Sequence, residues 1–169
     1  MSYQAVILTV SDSCAAGTRT DTSGPAIRAM LENAGFAVQA MQTVPDKEGQ
    51  ISAAIVHACD ILQADLVVTT GGTGLSPCDV TPEATLAVLD REIRAIPVAM
   101  WVEGLKSTPR AMLSRAVAGA RGAYACAERP GLGKGGARKS RRRRRDARSR
   151  AQNARGRRAL TKLKTRAAA

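Results

Sequence analysis

Aromatic residues are nearly absent from this chain, at 2% of 169 residues. A core organised on stacked rings is excluded, so Val, Ile, Leu, Met and Ala must fill it. Histidine occurs once, as His57, and the four cysteines (Cys14, Cys59, Cys78, Cys126) show no CxxC spacing. A zinc site is therefore not expected. Unpatterned cysteines fit a reducing cytoplasm better than a disulfide scaffold. Long hydrophobic runs are also missing. The first apolar run, AVILTV at 5–10, is six residues long, and no basic segment leads into a longer one. Neither a signal peptide nor a membrane span is expected, and the expected location is cytoplasmic.

Acidic residues are scarce only at one end. Residues 1–122 hold nine Lys/Arg and twelve Asp/Glu, a balance of −3, whereas 123–169 hold seventeen and two, a balance of +15. The overall +12 thus belongs to the last 47 residues. This asymmetry predicts one folded domain over 1–122 and a basic, low-complexity tail over 123–169.

Within the domain, strand and helix patterns alternate. AVILTV (5–10), FAVQAMQTV (36–44) and DLVVTTGG (65–72) read as strands, the first and third as runs buried on both faces. PAIRAMLENAG (25–35), KEGQISAAIVHACDILQA (47–64) and TPEATLAVLDREI (81–93) carry apolar residues at helical spacing. Pro25 suits the first helical position and Gly35 the stop, and Thr81 is the expected N-cap ahead of Pro82 and Glu83. IPVAMWVEGLK (96–106) and RAMLSRAVAGA (110–120) also read as helices. The order predicts an α/β fold: a three-layer, open, mostly parallel sheet with helices on both faces. Ligands of such sheets bind beyond the carboxyl ends of the strands, so the loops after Val10, Val44 and Thr70 should form the site.

The third loop, TTGGTGLSPCDVTPEAT (69–85), is the most informative. Gly71, Gly72 and Gly74 permit close backbone approach, and bare N–H groups with the Thr73 hydroxyl could cradle an anion. The plain alternative is a tight strand-to-helix turn, and the pattern is neither a Walker A loop nor a GxGxxG fingerprint. Asp79 is not needed as a cap if Thr81 serves. A carboxylate beside a phosphate loop calls for a divalent metal shared with the phosphates. Asp46, in VPDKEG, could simply cap the helix starting at Lys47, but its place on the same sheet edge pairs it with Asp79. Ser11, Asp12, Ser13, Asp21, Thr22 and Ser23 crowd the first loop, which on its residues alone reads as a solvated loop. His57 reads as a packed or surface histidine, Trp101 as a core or interface residue, and the remaining cysteines as small apolar ones.

ILTVSDS, DTSGP, VPD, TTGGTG, DVTPEAT, DRE and LSRAVAG occur in the order and spacing of the MogA/MoaB family of molybdenum-cofactor biosynthesis proteins. The resemblance covers about residues 3–122. It implies a molybdopterin-binding-domain-like α/β fold assembled as a homotrimer. It also implies the activity of a molybdopterin adenylyltransferase, which transfers AMP from ATP to molybdopterin with Mg2+ and releases pyrophosphate. Hand-over of the product to a molybdate-inserting protein is implied as well. Carried onto this chain, the family's functional aspartates are Asp46 and Asp79, which would also hold the metal. Gly71, Gly72, Thr73 and Gly74 form the binding loop, with Ser11, Asp12, Thr81 and Ser114 in motifs lining the site. DVTPEAT resembles MogA more than bacterial MoaB. One departure is Cys78, since MogA-type proteins often carry a basic residue just before this aspartate.

After Gly122 the resemblance stops. Such proteins continue with a last core strand, a Pro-Gly-Ser loop and a closing helix, whereas this chain reads AYACAERPGLGKGGARKSRRRRR. Moving the codon frame by one base permits Arg-Thr-Leu-Val-Leu-Asn-Val-Pro-Gly-Ser-Ala-Lys-Ala-Val-Arg-Glu from Ala123, in register with the missing elements. Residues from about Ala123 are therefore read as frame-displaced, a reading that the coding DNA tests. The expectation is a fold lacking its usual last strand and helix, with an unpaired sheet edge, a disordered basic tail and impaired activity. Two other functions fit the same residues. One is a MoaB-like pterin- or nucleotide-binding scaffold without efficient transfer. The other is non-specific, salt-sensitive nucleic-acid binding through the tail, with no aromatics to stack bases.

Overall fold

A computed structural model describes residues 2–129. The expected basic tail beyond them, its disorder and the frame-displaced loop and helix, lies outside the described residues. The elements run β1 (Tyr3–Val10), α1 (Asp12–Ala15), α2 (Ser23–Asn33), β2 (Phe36–Val44), α3 (Glu48–Val56), a π-helical turn (His57–Ile61) and β3 (Leu66–Thr70). Then come α4 (Thr81–Leu86), β4 (Arg91–Glu92), α5 (Ala95–Leu105), a 3-10 turn (Pro109–Leu113), β5 (Ala118–Arg121) and β6 (Tyr124–Arg129).

These strands form one six-stranded sheet in the order β2-β1-β3-β6-β5-β4. The first four are parallel, while β5 and β4 run antiparallel to their neighbours. Alternation along β1 explains the continuous apolar run. Val6, Leu8 and Val10 pack with Ile51 and Ile55 of α3 and Ala84 of α4, whereas Ile7 packs with Ile27 of α2 and Val68 of β3. Each face of β1 therefore meets helices, and no polar side of the strand remains. The chain leaves β1 for β2 on one side and returns to β3 on the other. That reversal opens a crevice at the carboxyl ends of β1 and β3.

The structure corrects four readings. The segment at 110–120 is not a helix: it is the 3-10 turn followed by β5. Ala and Gly give this segment no distinctive period, and Gly119 is required where a Cβ would come 2.4 Å from the Arg91 carbonyl oxygen of β4. The expected helix over 81–93 ends at Leu86, and Arg91–Glu92 pair with β5 instead. Thr81 is not the N-cap: Val80 holds that position, and Thr81 is fully buried inside the first turn.

The fourth correction concerns the missing strand. β6 fills the place between β3 and β5, pairing Val67 with Cys126 on one side and Gly119 with Cys126 on the other. Backbone ladders do not read side chains, so the strand needs only a small apolar residue at its core-facing position. Cys126 meets that need with 1% exposure, and the displaced frame would put only Val or Ala there. The sheet edge expected to be unpaired is paired.

Candidate functional site

Three strand ends and the start of α4 build the site. β1 runs straight into Ser11, whose backbone N–H donates to the Val44 carbonyl of β2 at 2.9 Å. Ser11 caps α1, its hydroxyl accepting from the Cys14 N–H at 3.3 Å. Asp12 and Asp46 clasp each other. The Asp12 N–H donates to Asp46 Oδ2 at 2.7 Å, and the Asp46 N–H donates to Asp12 Oδ1 at 3.0 Å. Asp46 caps no helix, because Lys47 is the N-cap of α3 and makes no side-chain cap bond. The plain alternative for Asp46 is thereby removed.

The GGTG loop leaves β3 between these groups. Gly71 and Gly72 have φ of +98° and +61°, conformations that L side chains rarely adopt. A Cβ on Gly72 would lie 3.1 Å from Asp46 Oδ1, and one on Gly74 would lie 2.8 Å from Asp79 Oδ2. Asp46 and Asp79 thus face the same loop from its two ends. Thr81 locks the loop to α4: its hydroxyl donates to the Gly71 carbonyl at 2.9 Å and its N–H to the Gly72 carbonyl at 3.1 Å. Thr73 is buried within the loop. Asp79 is held by the Ser76 N–H, which donates to its Oδ2 at 2.8 Å. Ser114, by contrast, makes a local contact, accepting from the Ala116 N–H at 3.4 Å.

Arg115 escaped the sequence reading, and it organises the loop. Its Nε donates to the Gly74 carbonyl at 2.8 Å and its backbone N–H to the Thr73 carbonyl at 3.0 Å. Its guanidinium also donates to the Asp79 carbonyl and pairs with Glu83 of α4. The hydrogen bond from Arg115 is the main reason that the Glu83 carboxyl is held below its ordinary value. The planar fork can reach carbonyls and carboxylate together, which a Lys cannot do. Arg115→Ala is expected to destabilise the domain by about 1–2 kcal/mol, mostly through the abandoned carbonyls, because the partly exposed ion pair is screened. Arg115→Lys should recover less than half of that, measured by denaturant midpoints.

Burial raises the Asp46 carboxyl above its ordinary value, against the lowering effect of the Asp12 N–H; the Asp12 and Asp79 charges add to the rise. The Asp12 and Asp79 carboxylates thus crowd negative charge around Asp46. Among the described residues, no three His, Cys, Asp or Glu side chains gather closely enough to hold a metal ion alone. Asp46 and Asp79 are the carboxylates that could hold an ion such as Mg2+, which binds through one or two carboxylates and takes other oxygens from phosphates and water.

Residues 6–128 match the sequence model of a probable molybdopterin binding domain, a match that runs into β6. The crystal structure of the molybdopterin biosynthesis enzyme MoaB from Thermus thermophilus superposes with a TM-score of 0.74 at 44% identity, covering 79% of this chain and 84% of that one. The molybdopterin adenylyltransferase of Helicobacter pylori J99 is 37% identical over 119 residues, 68% of this chain and 66% of that protein. The molybdenum cofactor synthesis protein cinnamon of Drosophila melanogaster is 36% identical over 117 residues, 69% of this chain. The chain spans only 20% of that larger protein's length. With the sheet order, the GGTG crevice and these likenesses together, the chain belongs to the molybdopterin-binding-domain family, that of the MogA and MoaB molybdenum-cofactor biosynthesis proteins.

Proposed function

We propose that this chain is a molybdopterin adenylyltransferase. In this reaction a terminal phosphate oxygen of molybdopterin attacks the α-phosphorus of ATP. The bond from that phosphorus to the β-phosphate oxygen breaks, and pyrophosphate leaves. One observation carries the reading: Asp46 and Asp79 face the same glycine loop from opposite ends, at the strand-end crevice. Nucleotidyl transfer needs positioned anions and neutralised charge more than a covalent nucleophile, and no nucleophile is required of this site. Gly71, Gly72, Thr73 and Gly74 would offer backbone N–H groups to phosphate oxygens. Asp46 and Asp79 would hold Mg2+, which when bound supplies charge neutralisation and polarises phosphoryl oxygens. Asp12 fixes the Asp46 carboxylate, and Thr81 and Arg115 fix the loop.

Turnover of ATP and molybdopterin, read as Mg2+-dependent pyrophosphate release, tests the proposal. Binding of both molecules without release would favour the MoaB-like scaffold instead. Cys78 is exposed beside Asp79, so a basic residue there costs the fold little. Cys78→Arg is expected to lower the KM for ATP about fivefold with kcat nearly unchanged, the ~1 kcal/mol of an exposed charge contact. An unchanged KM would mean that this position does not meet the triphosphate.

The proposed homotrimer draws support from apolar side chains left exposed on α5 and the following turn: Val98, Val102, Leu105, Met112 and Leu113. Sedimentation of the full chain checks it. The product would pass to a molybdate-inserting partner. No helix among the described residues is long and apolar enough to cross a membrane. Nucleic-acid contact would be confined to the basic tail and non-specific.

A further inference from the structure

We propose that Cys59 and Cys126 form a reversible disulfide on oxidation, making this buried pair a modification site between the π-helical turn and β6. Their sulfurs lie 3.6 Å apart although the residues are 67 positions apart in sequence. Both side chains are essentially inaccessible, at 0% and 1% exposure, and both belong to the core cluster beneath α3. A disulfide requires the sulfurs to close to roughly 2.05 Å, a movement of about 1.5 Å. One wall of the contact can supply that movement. Cys59 sits in an irregular turn, closed by Leu62 N–H to the His57 carbonyl and Ala64 N–H to the Ala58 carbonyl, both at 3.0 Å. Such π-turns lack the regular helical ladder and adjust locally. Cys126 is the fixed wall, held by β3 and β5 on either side.

The two thiols differ in role. The hydrogen bond with Cys126 lowers the Cys59 thiol, against its burial and the Asp60 charge, and the Arg121 guanidinium lowers it further. The same contact and burial push the Cys126 thiol up. Cys59 lies on the wall that can move, where an oxidant reaches it first, so it is the attacking sulfur, and Cys126, fixed between two strands, is the resolving one. The oxidant class is a peroxide, small enough to enter beside Cys59 when the turn opens. The Cys59 thiolate attacks one peroxide oxygen, the O–O bond breaks, and with one proton the products are a Cys59 sulfenic acid and water. The Cys126 sulfur then attacks the Cys59 sulfur, the S–O bond breaks, and the departing hydroxide takes the Cys126 proton as a second water. Two thiols are oxidised and one peroxide is reduced.

The four cysteines allow a clean test, because the pair is buried whereas Cys14 is half-buried and Cys78 exposed. The full native chain is treated with hydrogen peroxide, its remaining thiols are alkylated in denaturant, and peptides are mapped without reduction. The expected result is a peptide joining positions 59 and 126, with loss of two alkylation sites that dithiothreitol restores. The loss should persist in the Cys14→Ser/Cys78→Ser variant. It should vanish in Cys126→Val, which keeps an apolar side chain at that position of β6. Oxidation should also raise the Tm of the native chain and leave that of Cys126→Val unchanged. Retention of alkylation at Cys59 and Cys126, pairing through Cys14 or Cys78 instead, or cross-linking only after denaturant is added would each overturn the proposal.

Discussion

Asp46→Asn is expected to lower AMP transfer by about 10²–10³-fold while leaving the fold intact or slightly firmer. The loss is the usual scale for removing one pre-placed electrostatic group from a charge-transfer site, ~2.7–4 kcal/mol in the transition state. Asn can still accept the Asp12 N–H, and the Asp46 backbone N–H still reaches Asp12, so the clasp survives. The stability sign follows from the raised Asp46 carboxyl. A group with a folded-state pKa above its unfolded one contributes stability below the unfolded value, and that contribution is lost as pH rises through the folded value. Ionised Asp46 is therefore a cost to the metal-free protein at neutral pH, and Asn removes it. The variant's advantage should be full above the raised value and vanish below the ordinary value of 3.8. Denaturant titrations across pH in the presence of a chelator measure the sign. Added Mg2+ should stabilise the parent more than the variant. Equal catalysis in the two proteins would remove Asp46 from the site.

Much of this site could be read in the sequence because its chemistry is local. AVILTV announces a strand buried on both faces, and GGTG followed by DVTPEAT announces a loop entering a helix. Asp46 is ambiguous in sequence for a physical reason: capping and ligand-holding carboxylates occupy the same place at a strand-to-helix junction. The three-dimensional structure decides: Lys47 takes the N-cap, and the Asp46 carboxylate is held by the Asp12 N–H from 34 positions away. Arg115 is illegible for the same reason of distance. Its partners Gly74, Asp79 and Glu83 lie 41, 36 and 32 positions away, and the one signal is a lone basic residue within LSRAVAG. The last strands fail differently. Ala118–Arg121 and Tyr124–Arg129 have no period that separates strand from helix, and their places are set by the neighbours waiting to pair. A frame-displaced reading changes side chains, but a central strand flanked on both sides is chosen largely by its backbone and by one small core residue, Cys126.

Gly71→Ala should be the most damaging single substitution in the binding loop. The Cβ would stand 2.1 Å from the Val10 carbonyl oxygen and 3.2 Å from its carbon, and φ is +98°. Neither obstacle is a flexible side chain. Val10 is 3% exposed in the central strand β1, and the next residue's N–H is committed to Val44 of β2. Gly71 cannot retreat either, because its own carbonyl accepts the buried Thr81 hydroxyl. The clash and the backbone strain together should cost more than about 3 kcal/mol, against a typical total stability of ~5–15 kcal/mol. That corresponds to a fall in Tm of roughly 10 °C or more. Gly17→Ala supplies the control: its φ is +70°, but nothing lies within 4 Å of the added Cβ, so it reports the backbone term alone. It should cost about 1 kcal/mol. The excess loss in Gly71→Ala over Gly17→Ala then measures how tightly β3 is drawn against β1 at the mouth of the crevice. Equal losses in the two variants would mean that the loop yields, and a yielding loop could not hold two carboxylates in fixed relation to a phosphate.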